Sequence, residues 1–355
     1  MNKILINCPY IYIKGGGGVA NYYRVFNELK TIDASLFYVG SRRFYSSIFG
    51  PIKTIIQLLF DYIHFIGVIK RYDVVVVNPS MTVACLKRDA VFILLAKLFK
   101  KKTVVFWRGF NHLYFDSKIK YDYHKLLNRY FFRVDHTIVL GENIYEKLNS
   151  IGCETPYSLE TTILSAELLR SDKKKFNKNK FTILFLARLE KTKGIIEALE
   201  IYSKLKVKYK HIEFLIAGNG AAYKEVEKII LAENLKDIYL LGDVRGEIKK
   251  EIFSKASVYL FPSYFEGMPN SILESMGMGV PVITTDVGGI PDFFENGKMG
   301  YMINGLNVNK FVEALEKLIL SDDLESISEF NVEYAKNIFL DKVVVNRLEN
   351  KLLEI

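Results

Sequence analysis

Along this chain, compact runs of Val, Ile, Leu and Phe alternate with longer stretches in which apolar residues return every three or four positions. The compact runs predict buried strands. In the first half these are "KILINCP", "ASLFYVG", "DVVVVNP", "KTVVFWRG" and "HTIVLG"; in the second they are "FTILFLARL", "EFLIAGNG", "IYLLGDV", "SVYLFPS" and "PVITTDVGG". The longer stretches predict helices after Gly18 and around residues 52–69, 89–99 and 121–132, then around 195–207, 223–232, 247–254, 271–278 and 309–320. Strands alternating with helices is the pattern of parallel sheets covered by helices, so the fold class is α/β, and the two halves echo each other.

A length of 355 residues suits two domains. Charge and Asn cluster around residues 169–180, between the last strand of one half and the first of the next. That places a first domain at 1–169, a second at 170–331, and a last helix, 332–355, expected to pack back on the first domain. In open parallel sheets ligands bind beyond the carboxyl ends of the strands, so two facing units would hold their ligand in the cleft between them and the working residues belong on the loops that follow strands.

Composition narrows the class further. The three cysteines, Cys8, Cys85 and Cys153, are isolated and lack metal-ligand spacing, as expected in a reducing cytoplasm. The start "MNKILINCPYIYIK" is broken by Asn7 and Pro9 and reads as a first strand rather than a signal peptide. The apolar segment 51–70 is interrupted by Lys53, Gln57, Asp61 and His64, so no transmembrane helix is predicted. The net charge of +9 is unevenly spread: residues 1–170 carry 23 Lys/Arg against 13 Asp/Glu, and the remainder is nearly balanced. No nucleic-acid-binding signature accompanies that excess, which favours an anionic membrane over nucleic acid as the partner, with ordinary solvated lysines as the alternative. Ile52, Ile55, Ile56, Leu59, Ile63 and Ile66, flanked by Arg42, Arg43, Lys53, Lys70 and Arg71, form the candidate face for it, or a helix face packed on the sheet.

The densest chemistry follows "SVYLFPS", in "YFEGMPNSILESMGMGVPVITTDVGGIPD". Glu266 precedes a predicted helix, Gly267 permits an unusual backbone angle, Pro269 suits a helix start, and Asn270 or Ser271 can cap free amides. Amides exposed at such a helix start favour an anion. Glu274, inside that helix, can accept hydrogen bonds from a diol such as ribose, and Glu266 can meet the hydroxyls of a sugar on the same phosphate. The plainer alternatives are that Glu266 holds its own loop and that Glu274 pairs with a lysine; Gly288 and Gly289 either make a tight turn or bring their amides to the sugar or phosphate.

This segment closely resembles the nucleotide-sugar site of retaining glycosyltransferases of the GT-B fold, specifically glycosyltransferase family 4, and the resemblance runs through the second half. In "LARLEKTKGI", Arg188 and Lys193 stand at the family's Arg and Lys positions, followed by Gly194. "FLIAGNGA", with Gly218, and "IYLLGDV", with Asp243 and Val244, match strand-loop elements, the latter where the family cradles the base. Met268 and Ile272 fall within the matching Glu-x7-Glu region. The first half resembles the acceptor half of polysaccharide-building members, many of which carry a His-Gly pair after the strand that "KTVVFWRG" forms; here the pair is Arg108-Gly109, with Arg108 expected on the acceptor side, and His112 and Asp116 follow as candidates to contact the transferred sugar or the acceptor.

The resemblance implies two Rossmann-like domains and transfer of a sugar from a UDP- or GDP-sugar to a glycan or lipid-linked glycan, with retained anomeric configuration, in building a cell-surface polysaccharide such as capsule or lipopolysaccharide. It implies a cytoplasmic enzyme, peripheral at the inner face of the plasma membrane. The departing phosphate takes the acceptor proton, so the expected protein work is positioning and charge stabilisation by Arg188, Lys193, Glu266 and His112. No Asp-x-Asp metal motif is present, and neither a metal nor another cofactor is expected. Gly16 and Gly17, in "IKGGGGV", fit neither phosphate-loop fingerprint and are expected to let backbone approach the donor. Two alternatives stand beside this: an idle sugar-nucleotide-binding partner of another transferase, and a sugar-nucleotide epimerase.

Overall fold

The computed structural model describes residues 2–12, 18–39, 50–177 and 179–355. Gly16, Gly17, Arg42 and Arg43 lie outside the described residues. The chain forms two compact units, Met1–Thr162 with Asp341–Ile355, and Ile163–Leu340. In the first, β1 (Ile4–Cys8), α1 (Gly18–Leu29), β2 (Ala34–Tyr38), α2 (Gly50–Ile69), β3 (Val74–Val77), α3 (Val83–Leu98), β4 (Lys102–Trp107), a turn α4 (His112–Tyr114), α5 (His124–Tyr130), β5 (His136–Val139), α6 (Glu142–Asn149) and β6 (Tyr157–Leu159) follow in order. The second holds β7 (Phe181–Leu186), α7 (Ile195–Lys208), β8 (Ile212–Ala217), α8 (Tyr223–Ala232), β9 (Ile238–Gly242), α9 (Gly246–Lys255), β10 (Val258–Phe261), α10 (Asn270–Gly277), β11 (Val282–Thr285), β12 (Gly300–Ile303), α11 (Val308–Leu320) and α12 (Leu324–Ile338); α13 (Asp341–Glu354) returns to the first.

Each unit is built on one six-stranded, all-parallel sheet. The first runs β2-β1-β3-β4-β5-β6, so its connections change direction between β1 and β3. The second runs β12-β11-β10-β7-β8-β9, the order of dinucleotide-binding sheets, and its switch point lies between β7 and β10. Strands such as β3, four valines buried throughout, need no polar alternation because helices cover both faces. α1 turns Tyr22, Tyr23 and Phe26 inward, and Thr82 caps α3 by accepting from the Cys85 amide at 3.4 Å.

Several boundaries differ from those expected, each for a tertiary reason. Residues 163–169 belong to the second unit, because Leu164 and Leu168 pack in its core, and a Cβ on Gly277 of α10 would come within 2.6 Å of both Leu164 and Leu168. The last helix divides. α12 stays with the second unit, where Asn331 Nδ2 donates to the carbonyls of Val280 and Met299 at 3.2 Å. α13 docks on the first, with Glu349 accepting from Thr31 Oγ1 at 2.9 Å and buried Glu160 accepting from Arg347 Nε and Lys351 Nζ, each at 2.9 Å. The two ends of the second unit meet, since Leu164 bridges Leu340 and its amide donates to the Phe339 carbonyl at 2.8 Å. The helix expected at 121–132 is α5, preceded by wider π-helical turns from Phe115 to Tyr123.

α2 departs most from expectation. Its Phe65 and Ile69 are fully buried, Phe65 against Phe37 and Phe92. Ile52, Ile55, Leu59, Phe60 and Ile63 are all more than half exposed. By length and composition residues 52–69 could cross a bilayer, contrary to the expectation that their polar interruptions forbid it.

Candidate active site

The switch point of the second sheet brings together the loops after β7 and β10. The first makes a short turn at Lys191–Lys193 and enters α7 through Gly194, at φ +75°. A Cβ there would lie 1.8 Å from the Pro262 carbonyl oxygen at the end of β10, so only glycine lets the two loops touch. The loops are then laced together: the Tyr264 amide donates to the Thr192 carbonyl at 3.0 Å, and Ser263 Oγ donates to the same carbonyl at 3.2 Å.

That lacing delivers Lys193 to Glu266. Lys193 Nζ donates to Glu266 Oε1 at 2.6 Å, and Ser263 Oγ stands 2.8 Å from the same oxygen. The two charged side chains are only 18% and 10% exposed. Removing one of a buried pair typically costs about 3–5 kcal/mol because the other is left charged in poor solvent. Such a pair, at the place where open sheets receive ligands, is a cation and an acceptor held ready for a charged, hydroxylated molecule.

Glu274 sits on α10 and is paired with a lysine. Lys249 of α9 donates to both its carboxylate oxygens at 2.9 Å. Burial pushes the Glu274 carboxyl above its ordinary range, and Lys249 pulls it part of the way back. The start of α10 differs from the expected cap: Pro269 is the N-cap and supplies no side-chain hydrogen bond. Ser271 Oγ lies instead 2.7 Å from the hydroxyl of fully buried Tyr259, which reaches the Leu186 carbonyl at 3.0 Å. Ile272 is a core side chain, so only its backbone can meet a ligand. Met268 packs half-buried against that core.

Gly267 adopts no left-handed angle; the positive φ falls on Gly288, at +64°. A Cβ on Gly288 would lie 2.4 Å from the carbonyl oxygens of Glu266 and Gly267, and the Gly289 amide donates to the Gly267 carbonyl at 2.6 Å. The Gly288-Gly289 pair therefore clamps the Glu266 loop, and the Gly289 amide is already spent.

The remaining expected residues of this unit are placed less directly. Arg188 is 71% exposed and bound to Glu190 Oε1 at 2.6 Å, so the structure does not join it to the Lys193–Glu266 pair. Gly218, at φ +138°, would put a Cβ 1.9 Å from the Ala187 carbonyl and so packs the β8 loop beneath Arg188. Asp243 is tied to Arg245 at 2.7 Å, and Val244 is buried in the core, leaving its backbone for any contact. Sequence reasoning missed Lys249, one of many lysines on a charged helix, and Ser263, which the position before "YFEG" could have flagged.

In the first unit, Arg108 is buried directly after β4. His112 opens α4 with its ring 4.9 Å from that of Phe110. Asp116, half exposed, pairs with Lys147 of α6 at 2.5 Å. Among the described residues, no three His, Cys, Asp or Glu side chains group as a metal site would require.

Residues 169–337 match the family model Glycosyl transferases group 1. That match takes in nearly the whole of the second unit. Curated relatives agree: the capsular polysaccharide biosynthesis glycosyltransferase CapM of Staphylococcus aureus is 25% identical over 231 residues, 64% of this chain and 58% of CapM. The alpha-D-kanosaminyltransferase of Streptomyces kanamyceticus is 29% identical over 144 residues, 40% of this chain and 37% of that protein. The phosphatidylinositol N-acetylglucosaminyltransferase GPI3 subunit of Saccharomyces cerevisiae is 29% identical over 150 residues, 42% and 33%. The matches thus span between a third and under two thirds of these relatives.

Among solved structures, HepE of Anabaena in complex with UDP-glucose covers 100% of both chains at TM-score 0.73 and 16% identity. Sucrose-phosphate synthase of Thermosynechococcus elongatus covers 100% of this chain and 99% of its own at TM-score 0.76 and 13% identity. At such identities the likeness is one of fold, and that fold is GT-B, with two parallel six-stranded sheets.

Proposed function

We propose that this protein is a retaining glycosyltransferase that moves a sugar from a UDP- or GDP-sugar to a glycan or lipid-linked glycan in cell-surface polysaccharide synthesis, without a metal. The Lys193–Glu266 pair at the β7/β10 switch point carries this reading. The acceptor oxygen bonds to the anomeric carbon as the bond from that carbon to the phosphate oxygen breaks, on the same face, and the acceptor proton passes to the departing phosphate. Charge grows on that phosphate, where Lys193 supplies a fixed cation and α10 the positive end of its dipole. Glu266 orients the sugar hydroxyls and Glu274 the ribose diol. Arg188, released from Glu190, would add a second cation, Gly218 and Asp243 would line the donor loops, and His112 would meet the transferred sugar.

The UDP-glucose complex of HepE supports a nucleotide-sugar donor, and the names of CapM and the GPI3 subunit support polysaccharide and lipid acceptors. The exposed apolar face of α2 supports a peripheral position on an anionic cytoplasmic membrane. Leu94 and Leu98 of α3 are exposed as well, and Lys53, Lys70, Arg71, Lys100 and Lys101 lie near the ends of the two helices.

The deciding experiment incubates the protein with a panel of UDP-, GDP- and ADP-sugars and glycan acceptors and scores transfer, hydrolysis and anomeric configuration, with and without chelator. Retained-configuration product that survives chelation is expected. Chelator-abolished turnover restored by magnesium would remove the metal-free route, and donor binding without turnover would assign an idle partner. Cosedimentation with phosphatidylglycerol vesicles at low salt is expected; failure to sediment would remove the membrane.

A further inference from the structure

A buried charge in the first unit is left over from this chemistry. Arg108 is 9% exposed, with its guanidinium carbon 3.4 Å from the ring centroid of Tyr22, 5.0 Å from Phe106 and 5.9 Å from Tyr23. Its Nε and Nη1 are buried with no hydrogen-bond partner, and no carboxylate pairs with it among the described residues. Glu160, whose charge is felt at Tyr22, is already taken by Arg347 and Lys351. Ring faces answer part of a cation's charge but offer no in-plane acceptor to its N–H groups. Both side-chain polar atoms of Asn7, 1% exposed on β1, also lack a partner among the described residues.

The position is a ligand position by topology. Arg108 follows β4 at the carboxyl edge of its sheet, and the next residue, Gly109, bridges Ser80 beyond β3. Tyr22 belongs to the second turn of α1, whose first turn carries no acidic residue to answer its dipole. A buried guanidinium with unmet donors, beside a helix start and past the strand ends, awaits an oxyanion.

We propose that Arg108 binds a phosphate or carboxylate group of a substrate, with Tyr22 holding the guanidinium in place. The proposed transfer reaction is needed only to name the source of that anion, either the donor diphosphate or an anionic acceptor, such as an acidic glycan or one carried on a lipid phosphate. The Arg108-Gly109 pair would then mark a preference for charged substrates.

The full chain and its R108Q and R108K variants are titrated calorimetrically with UDP, and then, saturated with UDP, with inorganic pyrophosphate and with glucuronate. Loss of an ionic hydrogen-bonded contact weakens binding about tenfold or more. A tenfold loss of UDP affinity in R108Q identifies the donor diphosphate; an unchanged UDP affinity with loss of pyrophosphate or glucuronate binding identifies an anionic acceptor. Equal affinities of R108Q and the parent for all three probes overturn the proposal. If R108Q does not fold, R108K, which keeps the charge but loses the planar fork, is expected to bind severalfold more weakly in one titration; parent-like affinities in R108K then overturn it. Both titrations read binding, so a failure of sugar transfer counts against the transferase and leaves this site standing.

Discussion

Replacing Lys249 by methionine tests how the Glu274 carboxylate is maintained. The lysine donates to both carboxylate oxygens at 2.9 Å, and the two side chains are 22% and 15% exposed. Methionine keeps most of the stem and removes the cation, leaving a carboxylate that burial already disfavours. A fully buried broken pair costs about 3–5 kcal/mol; with some water still in reach, about 2 kcal/mol is expected near neutral pH. For a unit of this size that lowers the melting midpoint by roughly 4–8 °C. The sign of the pH dependence follows from the direction of the shift. Glu274 is raised in the folded protein, so its protonated form is favoured by folding; the stability this confers is complete at acid pH and is lost as pH rises through the folded value. Without Lys249 the shift grows, so the deficit of K249M should be larger at pH 8 than at pH 5, and the K249M/E274Q double variant should recover most of it. Melting curves of parent, single and double variants at both pH values measure this. A deficit equal at the two pH values, or one that simply adds to that of E274Q, would refute an electrostatic pairing.

G194A places a Cβ 1.8 Å from the Pro262 oxygen at a positive φ; a loss of about 3 kcal/mol or more in the second unit is expected by denaturant titration, and parent-like stability would mean the loops are not in contact as described. K193M should lower kcat about 10²–10³-fold, and R188M, starting from an exposed pair with Glu190, should lower it by less; initial-rate kinetics over donor concentration decide it, and the reverse ranking of kcat would place Arg188 at the phosphate. E160Q strips the buried partner of Arg347 and Lys351 and should cost the first unit about 3 kcal/mol and expose α13 to limited proteolysis; an unchanged cleavage pattern would show that other contacts hold that helix.

The strands of both cores were legible because a run such as "VVVV" or "TILFL" has no other stable place than a covered parallel sheet. β6 and β12 were not, since "YSL" and "GYMI" are short, partly exposed edge strands with too little apolar run to stand out before their pairing with β5 and β11 is known. The helix expected at 332–355 carries a continuous apolar period; nothing local announces the break at Phe339 and Leu340, which packing of the second unit imposes. In the site, Lys193, Glu266 and Glu274 could be named from their motifs, while the partners that set their electrostatics could not. Lys249 meets Glu274 across 25 positions and Lys193 meets Glu266 across 73. Arg108 was visible as a departure from a family pattern, but that its Nε and Nη1 find no partner among the described residues is a property of the folded unit alone.

The meeting of Leu164 with Leu340 makes residues 163–340 a cassette. Both ends of that segment leave from one place, so a foreign segment with adjacent ends would join the first unit at the same two seams. The two units can then be exchanged as separate modules, by grafting at Thr162/Ile163 and Leu340/Asp341, without recutting either sheet.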